Sequence, residues 1–282
     1  MADAQSTPPA KWGDLGVRAV SAVVLIPLVL AGVWAGGIWF QVFAALLAVL
    51  MAYEWCKLCH RHGSTQFALH ATAALAGALI SIQSGPGGAL IVIVILWVAS
   101  AADTQLQGSG ATTWSYFGVP YVGLPAMALV LLRNDPVNGL SSIVWVMVTV
   151  WSADTLAYFA GRIIGGPKLA PSISPKKTWA GLGGAVAGSA LASVVFCVIA
   201  GYGSMLMLAV IAGLLAIVEQ AGDLFKSAWK RFHGVKDSGD LIPGHGGVID
   251  RVDGLVAVAT AAAMIGWARG GMDATATGLL VW

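Results

Sequence analysis

Of 282 residues, 58% are hydrophobic and only 10% charged, with a formal net charge of +2. A mean hydropathy of +0.82, with uncharged runs such as ALIVIVILWVASAA at 89–102, excludes an ordinary soluble domain and places the chain in a membrane. No polar block is large enough for a separate soluble domain, so residues 17–282 read as one transmembrane domain.

Residues 1–16, MADAQSTPPAKWGDLG, are polar and contain proline, and predict a short disordered lead. The apolar run after Arg18 carries no small-residue processing site and flows into a full span, unlike a cleaved signal peptide. Segments near the roughly 20 residues needed to cross the hydrocarbon recur at 17–35, 38–55, 67–84, 87–102, 114–132, 138–161, 179–200, 203–221 and 254–270. The expectation is an all-α polytopic membrane protein of about nine transmembrane helices. With a cytoplasmic N-terminus and an external C-terminus, the inside segments hold Lys11, Arg18, Lys57, Arg61, Arg162, Lys168, Lys176, Lys177, Lys226, Lys230, Arg231, Lys236 and Arg251, leaving only Arg133 and Arg269 outside. That asymmetry sets the orientation. It also puts the two long polar segments, 162–178 and 222–253, on the cytoplasmic face.

In AYEWCKLCH (52–60), Glu54 lies one helical turn from Lys57, and a snorkelling ion pair between them is the favoured reading. CKLCH formally matches a c-type haem attachment pattern, but the segment is cytoplasmic by charge, where such haems are not attached. Metal binding by Cys56, Cys59, His60 and His62 is the lesser alternative. With Cys197 the chain has three cysteines and no disulfide framework. The twelve tryptophans read as interfacial anchors.

Further along, Asp154, Tyr158 and Arg162 follow at i, i+4 and i+8 on one helical face, either as a self-neutralising polar stripe or as a substrate-facing one. In GGPKLAPSISPKKTWAG (165–181), Lys168, Lys176 and Lys177 stand beside Ser172, Ser174 and Thr178. Pro175 biases Ser174 toward extended backbone, and Thr178 suits an N-cap of the next span. Lysines and hydroxyls at a helix N-terminus fit phosphate oxygens, and anionic lipid headgroups would satisfy them equally.

Glu219 and Asp223 are like charges at i and i+4 near a membrane boundary, which repel unless a cation or proton intervenes. Their face continues to Lys226, Ser227 and Lys230, so acids give way to bases. In PGHGGVIDRVDG (243–254), His245, Asp250, Arg251 and Asp253 are packed among four glycines, whose bare backbone can approach an anion closely. A loose glycine-rich turn is the competing reading.

From Gly222 to Gly254, GDLFKSAWKRFHGVKDSGDLIPGHGGVIDRVDG resembles the signature of the bacterial phosphatidate cytidylyltransferases, or CDP-diacylglycerol synthases. Ser227, Lys230, Arg231, Lys236, Asp237, His245, Gly246, Gly247, Asp250, Arg251 and Asp253 match that pattern in order and spacing. SPKKT (174–178) and DTLAYFAGR (154–162) also look like the family's, so the resemblance covers about 150–256. The N-terminal spans share only their hydrophobicity and the Glu54–Trp55 pair. One departure is Ala180, where the family pattern leads one to expect an acid.

The resemblance implies a nucleotidyltransferase of phospholipid biosynthesis that joins CTP to phosphatidic acid, giving CDP-diacylglycerol and pyrophosphate. Such chemistry rests on positioning and charge neutralisation. It implies Mg²⁺ held by Asp223 and Asp250, with Asp253 either joining them or orienting Arg251, and it is compatible with a second cation. Lys176, Lys177, Lys226, Lys230, Arg231 and Arg251 become candidate phosphate clamps. Ser174, Thr178, Ser227, Lys236, Asp237, Gly246, Gly247, Asp154 and Tyr158 are candidate substrate contacts. His245 reads better as a hydrogen-bond donor to phosphate than as a general base, because the attacking phosphate is already ionised. The partners expected are CTP, phosphatidic acid and membrane lipids, with no nucleic acid and with a homodimer as the assembly. The location is the bacterial inner membrane, with the active site on its cytoplasmic face. Two alternatives stay open: a related enzyme acting on another lipid phosphate, and a secondary transporter using Asp154, Glu219 and Asp223 as ion sites. The transporter predicts an internal repeat, and the polar motifs of the second half have no counterpart in the first.

Overall fold

A computed structural model describes residues 11–60, 64–106 and 112–282. Arg61 and His62, the first ten residues of the expected N-terminal lead, and the side chains of Lys11, Arg18 and His60 lie outside the described residues. The helices are α1 (Lys11–Ala35), α2 (Gly37–His60), α3 (Ser64–Leu75), α4 (Ser81–Gln83), α5 (Gly85–Leu106), α6 (Thr113–Asn134), α7 (Gly139–Ile163), α8 (Trp179–Ala200), α9 (Met205–Phe232), α10 (Ile249–Gly270) and α11 (Thr275–Leu280). A π-helical turn at Ala76–Ile80 joins α3 to α4 into one rod. Seven rods among the described residues are long and apolar enough to cross a membrane: α2, α3 to α4, and α5 to α9. Large apolar side chains such as Val23, Ile91, Leu191, Ile199 and Leu206 point outward, as lipid-facing surface does. The chain is an all-α polytopic membrane protein, apart from one small hairpin described below.

Helix α6 is the most enclosed of the seven spans. It packs against α2, α3, α5 and α10, and its Pro120 and Pro125 are tolerated because neighbouring helices stabilise a span whose own hydrogen-bond ladder is interrupted. Small residues permit close approach: a Cβ on Gly123 would stand 3.1 Å from the carbonyl oxygen of Ala73 on α3. Polar groups tie α7 to α8, with Trp145 Nε1 donating to Ser193 Oγ at 2.8 Å and Ser189 Oγ to the Thr149 carbonyl at 2.9 Å.

The polar 162–178 segment, read from the sequence as a loop, contains an antiparallel hairpin. Strands β1 (Lys168–Ala170) and β2 (Ser174–Thr178) pair Lys168 with Thr178 and Ala170 with Ser174. The extended backbone predicted at Ser174 is present. Thr178 closes the hairpin and caps α8, its Oγ1 accepting from Gly181 N at 3.0 Å. Lys177 is therefore fixed one residue from a helix terminus.

At the end of α6 and α7 remote from that hairpin, Asp135 Oδ1 accepts from the backbone N–H groups of Val137 and Asn138, each at 2.9 Å, and Oδ2 from Thr277 N at 2.7 Å. Asn138 Nδ2 donates to Thr277 Oγ1, and Tyr202 Oη donates to Asn138 Oδ1. Burial pushes the Asp135 carboxyl up, but the backbone donors from Asn138, Thr277 and Val137 outweigh it and hold the group below its ordinary value.

Candidate active site

Three segments converge at the hairpin end of the bundle: the last residues of β2, the C-terminal half of α9, and the first turn of α10 with the loop before it. Helix α9 ends with Lys230 and Arg231 in its last turn, the charge its dipole favours there. The chain then reverses at Gly234 (φ +69°), with Val235 N donating to the Lys230 carbonyl at 3.0 Å. An isolated bridge between Ile242 and Gly246 folds the loop back so that α10 begins at Ile249. Gly246 (φ +81°) supplies the left-handed backbone this return requires. Helices α9 and α10 meet along glycines: a Cβ on Gly222 would stand 2.7 Å from Ala257 Cβ, and one on Gly254 would stand 2.9 Å from Glu219 Cγ.

This close seam brings Asp223 of α9 beside Asp250 and Asp253 of α10, and lysines interleave the three acids. Lys177 Nζ is 2.7 Å from Asp223 Oδ2. Lys226 Nζ is 3.1 Å from Asp223 Oδ1 and 3.9 Å from Asp250 Oδ1, and it also pairs with Asp253 Oδ2. Lys230 Nζ is 2.5 Å from Asp250 Oδ1. Lys226 is 7% exposed, a burial its ammonium tolerates only because carboxylates surround it. Asp223 and Asp253 lie within hydrogen-bond reach of each other. Glu219, one turn deeper, accepts from Gln220 Nε2 at 2.7 Å and lies within hydrogen-bond reach of Asp154. Gln220 in turn accepts from Lys177 Nζ at 2.7 Å.

Glu54 reaches this site from α2. It is fully buried, and its carboxylate accepts from Val248 N at 2.7 Å, Ile249 N at 2.9 Å and Ser238 Oγ at 3.0 Å. Ser238 carries the connection on, its N and Oγ lying 2.7 Å and 3.0 Å from Asp250 Oδ2. The ion pair expected between Glu54 and Lys57 is absent. Lys57 bonds Asp240 Oδ1 at 3.1 Å instead, and that bond holds the exposed Asp240 carboxyl below its ordinary value. The correction has a physical reason: two orphan N–H groups at the start of α10 and a serine hydroxyl satisfy a buried carboxylate, whereas Lys57 is on the surface.

Beneath the acids lies an aromatic floor. Trp55 stacks on Trp229 with centroids 4.3 Å apart and planes at 7°, and it touches Tyr121 at 4.8 Å. The Tyr121 hydroxyl is buried without a hydrogen-bond partner among the described residues, and its electrostatic neighbours are Asp253, Asp250 and Asp223. Cys59 Sγ accepts from Trp229 Nε1 at 3.3 Å and Cys56 is buried, so the CKLCH cysteines are packed into this floor.

A model of the cytidylyltransferase family matches residues 16–268. A relative in Brucella abortus, named phosphatidate cytidylyltransferase, is 42% identical over 252 residues, covering 87% of this chain and 91% of its own. One of the same name in Pseudomonas aeruginosa is 36% identical over 269 residues, covering 90% and 97%. Another in Rickettsia prowazekii is 38% identical over 176 residues, covering 60% and 77%. The chain belongs to the cytidylyltransferase family. The family model reaches back to residue 16, well before the region where the resemblance was legible.

Of the residues singled out from the family signature, Lys177, Asp223, Lys226, Lys230, Asp250 and Asp253 form one connected cluster. Arg231, Lys236, Asp237, Lys176 and Arg251 are exposed, and Ser174 and Ser227 are half-buried. Arg251 donates from Nε and Nη2 to the His245 carbonyl at 2.9 and 2.5 Å, which ties the glycine loop to α10. His245 Nδ1 is buried without a partner among the described residues. Gly247 has no room for a side chain: an added Cβ would stand 2.6 Å from Glu54 Oε2. The stripe on α7 splits, because Arg162 donates to Tyr158 Oη at 2.6 Å on the exposed surface while Asp154 reaches Glu219. Ala180, the departure from the family pattern, occupies the first turn of α8 two residues past the Thr178 cap. Sequence reasoning missed Ser238 and Gln220 and misjudged Glu54. Only the family-like Glu54–Trp55 pair signalled the last.

Proposed function

We propose that the chain transfers the cytidylyl group of CTP to phosphatidic acid, forming CDP-diacylglycerol and pyrophosphate at the cytoplasmic face of a bacterial inner membrane. The observation that carries this reading is the cluster of Asp223, Asp250 and Asp253 interleaved with Lys177, Lys226 and Lys230 at one end of a transmembrane bundle. The names of the relatives supply the substrates. In this reading α1 and α10 also cross the membrane, giving nine spans, with the N-terminus cytoplasmic and the C-terminus external. The division of thirteen basic residues against two supports it. The family resemblance suggests a homodimer, which analytical ultracentrifugation in detergent tests.

The donor set suits Mg²⁺. Three carboxylates offer hard oxygens converging on one cationic point, which the Lys226 ammonium now fills, and the unpartnered Tyr121 hydroxyl lies beside them. Among the described residues no group of three His, Cys, Asp or Glu stands ready to hold a metal ion; lysine ammonium groups occupy the carboxylate oxygens instead. Asp223 and Asp250 would hold the ion, with Asp253 beside them. When bound, it neutralises phosphate charge and polarises the phosphorus–oxygen bonds.

The protein's own groups then have definite tasks. A phosphate oxygen of phosphatidic acid attacks the α-phosphorus of CTP, and the bond to the pyrophosphate oxygen breaks. CTP and phosphatidic acid together bring roughly five or six negative charges, while the three acids and three lysines of the cluster balance one another. Exposed Lys176, Arg231, Lys236 and Arg251 supply the further positive charge, and lysines released from the acids add to it. In this reading His245, whose buried Nδ1 has no partner among the described residues, donates to a phosphate oxygen rather than removing a proton. Glu54 and Ser238 hold Asp250 in place throughout.

The decisive experiment combines purified protein, Mg²⁺, labelled CTP and phosphatidic acid. A labelled lipid and an equal yield of pyrophosphate are expected. Failure with every phosphatidic acid, together with ion-coupled uptake into vesicles, would favour the transporter.

A further inference from the structure

Every oxygen of Asp223 and Asp250, and one oxygen of Asp253, already has a partner. Asp223 gives Oδ2 to Lys177 and Oδ1 to Lys226. Asp250 gives Oδ1 to Lys230 and Oδ2 to Ser238. Asp253 Oδ2 is held by Lys226. Among these partners Lys226 is distinctive: it alone touches all three acids, and it is the most buried of the three lysines, with 8% of its side chain exposed against 16% for Lys177 and 14% for Lys230. Its ammonium stands at the common focus of the carboxylates.

We propose that Lys226 is the built-in occupant of the cation position, an ammonium that must leave the focus of Asp223, Asp250 and Asp253 before those acids can hold a divalent ion. The inference rests on the metal assignment made above and adds to it a lock. Without substrate, the lysine neutralises acids that would otherwise repel one another in a low-dielectric setting, and it competes with the ion for the same oxygens. Its side chain is long and flexible, so it can exchange carboxylates for phosphate oxygens once a nucleotide supplies them. Divalent-ion binding and nucleotide binding then reinforce each other, because the nucleotide offers the displaced ammonium a new partner. The neighbouring lysines need no such release, since Lys177 is anchored at a hairpin end beside Gln220, and Asp250 keeps its bond to Ser238 whether or not Lys230 stays.

The test is Mn²⁺ binding to the full-length protein in detergent, followed by the electron paramagnetic resonance of free Mn²⁺, with no nucleotide present. Lys226→Met removes the charge and keeps the apolar stem; it should tighten Mn²⁺ at least about tenfold, since a like charge is removed from the focus. Lys226→Arg keeps the charge and should leave the affinity near that of the unaltered protein. Adding CTP should tighten Mn²⁺ strongly in the unaltered protein and much less in Lys226→Met, where no ammonium remains to be drawn away. Both variants are first required to give the same monodisperse elution and thermal transition as the parent. Equal or weaker Mn²⁺ binding by Lys226→Met would overturn the lock while leaving the metal assignment intact. Absence of Mn²⁺ binding in every form, with Asp250→Asn indistinguishable from the parent, would overturn the metal assignment and the lock with it.

Discussion

The two ends of the bundle treat a carboxylate in opposite ways. At one end Asp135 is held by three backbone N–H groups at the turn between α6 and α7 and at the start of α11. At the other end Asp223, Asp250 and Asp253 are held chiefly by lysine side chains. Backbone donors belong to the fold and cannot leave without unfolding a turn. Lysine side chains can let go. The first arrangement builds a fixed joint, the second a charge cluster that can be reorganised by a more highly charged ligand. Glu54 belongs to the first kind although it lies in the second region, since backbone N–H groups of Val248 and Ile249 supply two of its three hydrogen bonds. It is part of the frame on which the exchangeable cluster is mounted.

Replacing an acid of the exchangeable kind should affect chemistry far more than folding. Asp223→Asn and Asp250→Asn are expected to lower cytidylyl transfer by at least about a thousandfold, with unchanged elution and thermal transition. Incorporation of labelled CTP into lipid measures this, and near-normal turnover in either variant would break the contrast. Glu54→Ala should affect both properties. It strands two buried N–H groups, costing about 3 kcal/mol, and it removes one of the two carboxylate partners of the Ser238 hydroxyl, which loosens the hold on Asp250. A lowered melting temperature in detergent accompanied by lost activity is expected, and full stability would show that the frame does not depend on Glu54.

Asp135→Asn should do the reverse, lowering stability by about 1 to 2 kcal/mol while turnover per folded molecule stays within about twofold. It also carries a pH signature. Because the Asp135 pKa is lowered in the folded protein, its stabilisation is fully present above the unfolded value near 3.9 and is lost as pH falls through the lower folded value. Thermal unfolding followed from neutral pH down through that range should show a smaller acid loss in the Asn variant than in the parent. The smallest effect belongs to Lys57→Ala. The exposed pair with Asp240 is screened by water and salt, so melting temperature and activity should both be unchanged within error; a clear loss would mean that the loop before α10 needs this surface tie.

Hydropathy made the spans legible because crossing a bilayer demands a length of apolar residues that no local detail can disguise. The Thr178 cap and the extended Ser174 were legible for a similar reason, since capping and proline restriction act over one to three residues. The cluster was legible as a set of residue types in α9 and α10, and the glycine seam at Gly222 and Gly254 turned their linear spacing into proximity. Glu54 escaped because its partners lie 184 to 195 residues away, and a bond between a side chain and a distant backbone leaves no periodicity. Its nearest basic residue in sequence, Lys57, suggested the wrong partner. The hairpin escaped because strands of three and five residues carry too little alternation to rise above a proline- and lysine-rich loop. Asp154, Tyr158 and Arg162 do share a helix, yet the first turns to a neighbouring helix while the other two pair at the surface.

The glycine seam between α9 and α10 also bears on how such a site can vary. Gly222 and Gly254 are apolar and uncharged, yet together they fix the gauge between the acid-bearing helices. A methyl group at either position would wedge the helices apart and widen the spacing between Asp223 and its partners on α10 without altering one charged residue. Mutational drift at such positions would register as altered ionic chemistry, so the tolerances of this charged end are written partly in residues that have no chemistry of their own.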